Sequence, residues 1–548
     1  MKKENTSLFV GTAAFILSAI WQQNALALPP IMIGDVNVGS ITGYIREHAQ
    51  WNLQDHPDPQ STAPGSPSMG GKNELSMLRT SLYLQYVSGD LPYDTKLTLI
   101  GRLVKESRTT YLKRLDANPL QVGDLMDHYN SNANAIREAY LDIPLSDSVN
   151  LRLGKQQVVW GETDLLQALD IVNPRDLSWR ALFEPEDEEW RKPQIMANLN
   201  IAVPDLKGSL QLLYRPGWDK KDQVGNTLDG FGGRWSPQGS RGVNSFGLIG
   251  FNYDHPEGNY KDASYGFRWT GVAGESNIGY SLAYYHTLSG NPLLNVKSSG
   301  IVPGVTLTPY KGSIGSKSTD MSTIGAPVPP GTTFAEFILP AVDIVGGSLN
   351  AYVTPLDLVF RTEAAATLKK PYNAETAFGG KGLPTILEKN TINFMVGFDK
   401  QLSSTMNLLG TDSAAFWTVQ VFDSWIPGFK AEDKLMDGAN ATISNLKEHS
   451  VIAVTSLSLS YKSNQVQPGI ILVNDTSNGG GVIIPNVNLL YGNHWRLRLD
   501  AQFFYKAQDA CTVNPTDPNP ATSGAYCTHL FGTYNNNNQL SARLTYQF

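Results

Sequence analysis

The residues best suited to act on other molecules are concentrated in one stretch. From Trp160 to Pro193 the chain carries nine carboxylates (Glu162, Asp164, Asp170, Asp176, Glu184, Glu186, Asp187, Glu188 and Glu189) against four cations, Arg175, Arg180, Arg191 and Lys192. With Trp160 and Asn173 among them, this set offers many hydrogen-bonding oxygens and an aromatic face, which suits contact with solutes better than bond-making. Signatures of catalysis are missing. Gly274-Glu275-Ser276-Asn277-Ile278 and Gly279-Tyr280-Ser281-Leu282-Ala283 lack the last glycine of a GxSxG nucleophile elbow, and neither lies between a strand and a helix. The eight His residues are scattered without HExxH or other ligand spacing, so no metal site and no cofactor are expected. His286 lies beside Ser289, which keeps a hydrolase as a minor reading, although a Ser in a Gly-rich turn needs no catalytic explanation.

Such residues need a frame, and the sequence periodicity supplies one. Gln539 to Phe548 alternates throughout, with Leu540, Ala542, Leu544, Tyr546 and Phe548 facing opposite to Gln539, Ser541, Arg543, Thr545 and Gln547. Period two means a strand with two unlike faces. Trp495–Tyr505, Gln194–Val203 and Ile278–His286 repeat the pattern. Similar segments lie at 36–46, 76–88, 95–105, 135–143, 149–159, 207–215, 264–272, 343–353, 355–367, 391–401, 414–424, 450–461, 467–474 and 482–490. The reading is therefore about 18 strands, within a range of 14 to 18, each near the roughly ten residues a tilted strand needs to cross a bilayer.

The connections alternate in length. Pro144–Ser148, Pro204–Leu206, Val272–Ser276 and Lys462–Gln465 are short, whereas 106–134, 160–193, 216–263, 288–342 and 507–537 are long. Short turns at one end and long loops at the other describe an outer-membrane barrel: all-β, closed, antiparallel and transmembrane, with long extracellular loops. Closure is required because hydrocarbon offers no water to unpaired backbone groups. The polar face then lines a lumen. In strand 149–159 that face holds Asn150, Arg152, Gly154 and Gln156 opposite Leu151 and Leu153, since a cation turned to lipid costs about 2–4 kcal/mol at midplane.

The 160–193 connection then reads as an inward-folded helical loop. Asp164-Leu165-Leu166-Gln167-Ala168-Leu169-Asp170 can form about two helical turns with Leu165, Leu166 and Leu169 on one stripe and Pro174 as the stop. Two roles stay open. In one, Arg152, Gln156, Trp160, Glu162, Asp164, Asp170, Asn173, Arg175 and Asp176 line a substrate path or constriction. In the other, the same Asp and Asn residues cap the helix and tie a structural plug to the wall. The run Glu184–Glu189 has no EF-hand spacing and is broken by Pro185, so it reads as a solvated outer loop, bridged through cations to lipopolysaccharide phosphates.

The ends and the composition agree with export. Lys2 and Lys3 precede an apolar stretch from Leu8 to Trp21, and Ala25-Leu26-Ala27 supplies a small-x-small cleavage pattern, giving a signal peptide over 1–27 and a barrel over 28–548. Cys511 and Cys527 share one loop and are read as a disulfide, worth about 3 kcal/mol in the chain-entropy account. Only 17% of residues are charged and the net charge is -7, too sparse and of the wrong sign for a nucleic-acid stripe. Fifty Gly and 32 Pro with negative mean hydropathy fit many short strands and turns, not a coiled coil.

Leu151 to Asp164 (LRLGKQQVVWGETD) and Asp170 to Leu177 (DIVNPRDL), with Ile392 to Lys400 (INFMVGFDK) and Phe416 to Phe422 (FWTVQVF), resemble the DUF1302 family of proteobacterial outer-membrane proteins. That resemblance implies an outer-membrane barrel of undefined biochemical activity, with some relatives linked to envelope-spanning exporters or to hydrophobic-substrate metabolism. The terminal Phe548 resembles the carboxyl-terminal signal read by the barrel-assembly machinery. The expectation is a non-enzymatic, porin-like conduit in the bacterial outer membrane for a small amphipathic or aromatic solute. Lipid and lipopolysaccharide would surround it, and a periplasmic transport partner would pass solute on. The alternative is a structural or surface-interaction barrel with a plugged lumen.

Overall fold

The computed structural model describes residues 30–54, 71–89, 91–110, 112–113, 135–164, 166–177, 187–219, 224–228, 250–251, 263–274, 277–291, 293–296, 335–374, 385–433, 435, 446–507, 530–535 and 537–548. The expected leader 1–27, the cysteines Cys511 and Cys527 and most of the 288–342 connection lie outside these residues.

Eighteen strands form the wall: β1 (Val36–Asn52), β2 (Leu75–Ser88), β3 (Lys96–Glu106), β4 (Ile136–Ser146), β5 (Val149–Gln156), β6 (Gln194–Val203), β7 (Gly208–Arg215), β8 (Ser264–Ala273), β9 (Ile278–Leu288), β10 (Ala341–Val353), β11 (Leu358–Ala374), β12 (Thr385–Leu402), β13 (Ala415–Trp425), β14 (His449–Ser458), β15 (Val466–Asp475), β16 (Gly480–Tyr491), β17 (Trp495–Lys506) and β18 (Gln539–Gln547). Each pairs antiparallel with its sequence neighbour, and β18 returns to β1 from Tyr44↔Gln547 to Asn52↔Gln539, which closes the barrel. Phe548 completes the seam: its N–H and C=O bond with Gly43 at 2.9 and 2.8 Å. A three-residue strand, Ile31–Ile33, folds back on the start of β1.

Every segment read from the sequence falls on one of these strands. The alternation is physical: Ile45, Leu84, Leu99, Leu153, Leu282, Val396, Val421, Phe503 and Leu544 are exposed on the outer face, while Gln50, Asn198, Gln420, Gln502 and Arg543 on the inner face are buried. Strand lengths differ from the expectation. β1, β11 and β12 run to 17, 17 and 18 residues, longer than a bilayer crossing needs, because pairing continues into the long-loop end. The connection Thr476–Gly479 between β15 and β16 is also short, although it lies at that end.

Exposed aromatics ring the short-turn end, where Trp495 packs on Tyr546 at 4.9 Å and Tyr546 on Phe548 at 6.4 Å. Amphipathic rings at such a boundary form a girdle. Short turns close through left-handed residues, Lys207 at φ 48° and Asp357 at φ 51°. Gly154 on β5 has φ +131°, and a Cβ there would sit 2.2 Å from the Ala139 carbonyl oxygen, so glycine is required.

Candidate functional site

The connection after β5 crosses the lumen and is fastened to the wall on both sides. Its outward course begins with Gln156, fully buried, donating to the Met196 carbonyl at 3.0 Å and accepting from Asn198 at 3.1 Å. Trp160 is also fully buried. Its indole N–H donates to Gln211 on β7 at 2.7 Å, and its ring meets Tyr285 on β9 edge-on at 5.5 Å. The Glu162 carboxylate accepts from Asn350 at 3.1 Å and from Ser348 at 3.4 Å, both on β10.

Two wall residues on β11 receive the next turn of chain. Arg361, 2% exposed, donates to the Glu162 carbonyl at 2.6 Å, to Asp164 at 3.0 Å and to Asp399 on β12 at 2.7 Å. Glu363 accepts the backbone N–H groups of Glu162 and Leu169, the latter at 3.0 Å. Gln420 on β13 donates to Asp164 at 2.7 Å. Leu169 rests against Gly346, where a Cβ would lie 2.5 Å from its methyl carbon. Burial pushes the Asp164 carboxyl above its usual range, against the opposing pull of Arg361 and Gln420.

The expected helix over Asp164–Asp170 does not form among the described residues; the chain there is bent, and the loop's described helix is Asp187–Trp190. The cause is competition for backbone donors. In a helix the Leu169 N–H would bond four residues back, but here it reaches the Glu363 carboxylate. The apolar stripe is satisfied by the wall instead: Leu169 joins Val158, Trp160, Val172, Met196, Leu213 and Tyr285, while Ala168 packs with Met395, Phe422 and Phe504.

The middle of the loop ties to itself. Asp170 accepts from Arg175 and, at 2.8 Å, from Arg191. Asn173 accepts from the Val158 N–H at 2.7 Å and donates to the Lys192 carbonyl at 2.9 Å, bridging the loop's two ends. The return course meets the opposite wall at Glu189, which accepts from Tyr44 (2.8 Å) and Arg46 (2.9 Å) on β1 and from Arg102 on β3 (2.5 Å). Arg137 on β4 adds bonds to the Glu188 and Arg191 carbonyls, each 2.7 Å. Although burial works to raise it, Arg102 and Arg46, helped by the Tyr44 hydroxyl, hold the Glu189 carboxyl down at about 2.

Of the residues singled out in the sequence, Gln156, Trp160, Glu162, Asp164, Asp170, Asn173 and Arg175 therefore share one fastened segment. Arg152 stays on the wall, bonded twice to Asp142 at 2.8 and 3.1 Å and stacked 4.1 Å above Tyr140. Asp176 is exposed and pairs with Thr227 in a short ladder. The solvated reading of Glu184–Glu189 needs correction at its last member: Glu189 has a side chain only 8% exposed, because Arg46 and Arg102 face into the lumen and require a counter-charge. Sequence reasoning also missed Arg361, Glu363, Asp399 and Gln420. Their signal was available as inward-facing charged and amide side chains on mid-wall strands, but their partners lie about two hundred or more residues away or on other strands. His286 and Ser289 have separate partners: His286 bonds Asp343 at 2.8 Å and Ser289 donates to the Asn291 carbonyl at 3.2 Å.

A closed wall of eighteen antiparallel strands, apolar outside and polar within, with the connection after β5 strung through the lumen, defines a porin-like barrel. Residues 86–548 match the family described as Protein of unknown function (DUF1302), and the chain belongs to that family. Solved structures share the architecture at low identity. Pseudomonas aeruginosa OccK9 (OpdG) is 9% identical, with 94% of this chain and 99% of that one covered and a TM-score of 0.43. Acinetobacter baumannii OccAB1 is 8% identical, with 93% and 96% covered and a TM-score of 0.43. Salmonella typhi OmpF, in complex with daunomycin, is 9% identical, with 93% and 98% covered and a TM-score of 0.38. No curated protein sequence matches this chain.

Proposed function

We propose that the protein is an outer-membrane conduit for small amphipathic or aromatic solutes, narrowed by a fixed constriction in the 160–193 connection. The observation that carries this reading is the course of the loop. It is bonded to β7, β10, β11 and β13 going out and to β1, β3 and β4 coming back. An eighteen-strand wall encloses more space than its own side chains fill. Trp160, Glu162, Asp164, Asp170, Asn173 and Arg175 fix the constriction's shape, and Gln156 anchors its entry. Lipopolysaccharide around the outer face, the assembly machinery at Phe548 and a periplasmic partner complete the setting, after removal of the leader 1–27.

The density of buried bonds around Arg361 favours the second reading, a lumen plugged by the same loop, in which the protein serves as a structural or surface-interaction barrel. Single-channel recording in a planar bilayer separates the two. The conduit gives unitary currents that grow when residues 160–193 are deleted; a wild-type barrel without current, opened only by the deletion, would establish the plug.

A further inference from the structure

Among the described residues three histidines stack on aromatic rings, and the two at the long-loop end share a feature the third lacks. His286 on β9 faces Tyr265 on β8 and Asp343 on β10 across the strands. Its ring lies 4.9 Å from that of Tyr265, and its Nδ1 is 2.8 Å from the Asp343 carboxylate. His449 on β14 faces Trp425 on β13, the rings nearly parallel and 5.8 Å apart, and its Nδ1 is 2.7 Å from the Asp423 carboxylate. His494, in the turn between β16 and β17 at the opposite end, stacks on Tyr546 at 5.3 Å but bonds a backbone carbonyl, that of Gln547, at 2.7 Å.

Both His and Asp pairs lie on the lipid-facing side of the wall. Leu282 and Val345, in phase with His286 and Asp343, are exposed, whereas Ala283, Tyr285, Val342 and Ile344 are buried. Val421 is exposed in phase with Asp423 and Trp425, and Phe422 is buried. His286 is two residues from the end of β9 and His449 is the first residue of β14. Charges facing outward are costly at the middle of a bilayer and nearly free at its boundary, so both pairs mark where hydrocarbon gives way to headgroups on the outer side. An ionised carboxylate only accepts, so Nδ1 carries the hydrogen in each pair and Nε2 is left for another partner. The imidazole side chains reach the surface, 27% exposed at His286 and 52% at His449. The Tyr284 hydroxyl donates to Asp343 at 2.8 Å and fixes that carboxylate further. On β11, between the two pairs, exposed Lys369 sits at a bulge with φ 49°, next to Leu368, which faces Asp343.

We propose that this outer rim, from β8 to β14, docks the phosphorylated headgroup of an outer-leaflet lipid, with His286 and His449 donating through Nε2–H to phosphate oxygens and Lys369 adding charge between them. A protonated imidazole makes a charge-assisted bond to phosphate, while the aspartate behind it balances the ring so that no isolated charge borders the apolar band. Stacking on Tyr265 or Trp425 fixes the plane of each ring. The surface continues the lipid-facing band upward, and that continuity selects a lipid as occupant in preference to a dissolved anion. The docking stands whether the lumen conducts or is plugged.

Native mass spectrometry of the full chain in detergent, titrated with bisphosphorylated lipid A, tests it. Wild type retains the lipid, H286Q and H449Q each weaken retention by roughly tenfold, and H286Q/H449Q removes most of it. D343N and D423N weaken it too, because each aspartate positions its imidazole; a rim acting through net charge alone would bind more tightly once a carboxylate is gone. H494Q, at the opposite end, leaves retention unchanged. Wild-type retention by a closed H286Q/H449Q barrel, tighter retention by D343N or D423N, or equal retention of dephosphorylated lipid A overturns the proposal. Inorganic phosphate displacing lipid A at equal concentration overturns the lipid as occupant and leaves a site for free anions.

Discussion

Replacing Arg361 with Met tests whether the loop is held by charge. The guanidinium joins the Glu162 carbonyl, Asp164 and Asp399 at 2.6, 3.0 and 2.7 Å, and the side chains of Arg361 and Asp399 are 2% and 4% exposed. Met fills a similar volume but leaves both carboxylates without their cation. Removing one partner of a buried ion pair costs about 3–5 kcal/mol. Releasing the loop admits water to Asp164 and Asp399 and relieves that cost, so the penalty falls on the fastened state. At about 1.4 kcal/mol per power of ten, the balance between fastened and released loop shifts by roughly two to three and a half powers of ten. Trypsin reads the change at Arg175 and Arg191, which are 3% and 6% exposed in the fastened loop. Wild type resists cleavage there and R361M is cut, with unitary current rising in parallel. Adding D164N and D399N to R361M removes the stranded charges and restores part of the protection. If R361M is as resistant as wild type while its barrel remains closed, the loop is not held by this residue and the reasoning fails.

Acid acts on the other fastening. Because the Glu189 carboxyl is held at about 2 in the folded chain against an ordinary 4.5, its contribution is fully present above pH 4.5 and is lost as the pH falls toward 2. Trypsin is inactive there, so pepsin cleavage of the 187–193 segment should appear only below about pH 4 in wild type, whereas E189Q should already expose it to trypsin at pH 7. The cysteines make a covalent prediction: denaturation without reductant followed by a thiol-reactive mass tag should modify neither Cys511 nor Cys527, and two tags should add after reduction, with the reduced protein about 3 kcal/mol less stable.

The wall was legible in the sequence because its periodicity is imposed by two solvents at once. Leu540, Leu544 and Phe503 must meet lipid while Ser541, Arg543 and Gln502 must not, and a slip of one residue would invert every such choice. That constraint ends where the hydrocarbon ends, which is why β1 and β12 continue past the segments the alternation marked. The loop was legible only by composition. Its polar residues were recognisable as a group, but which way each bond ran depended on Arg361 and Glu363, reached 199 and 194 residues along the chain. Local propensity favoured a helix through Leu165, Leu166 and Leu169; the wall offered Leu169 a carboxylate for its N–H and Gly346 as a seat for its side chain, and tertiary contacts won.

Charge is divided between the two parts in a way that explains how the loop is fastened. The loop carries a surplus of carboxylates, and the inner wall presents Arg46, Arg102, Arg361 and Arg543 toward the lumen. Buried ion pairs of this kind add little net stability over apolar packing, yet they are costly to break singly, so what they secure is position. A loop held in this manner makes a constriction of fixed shape more readily than a swinging gate.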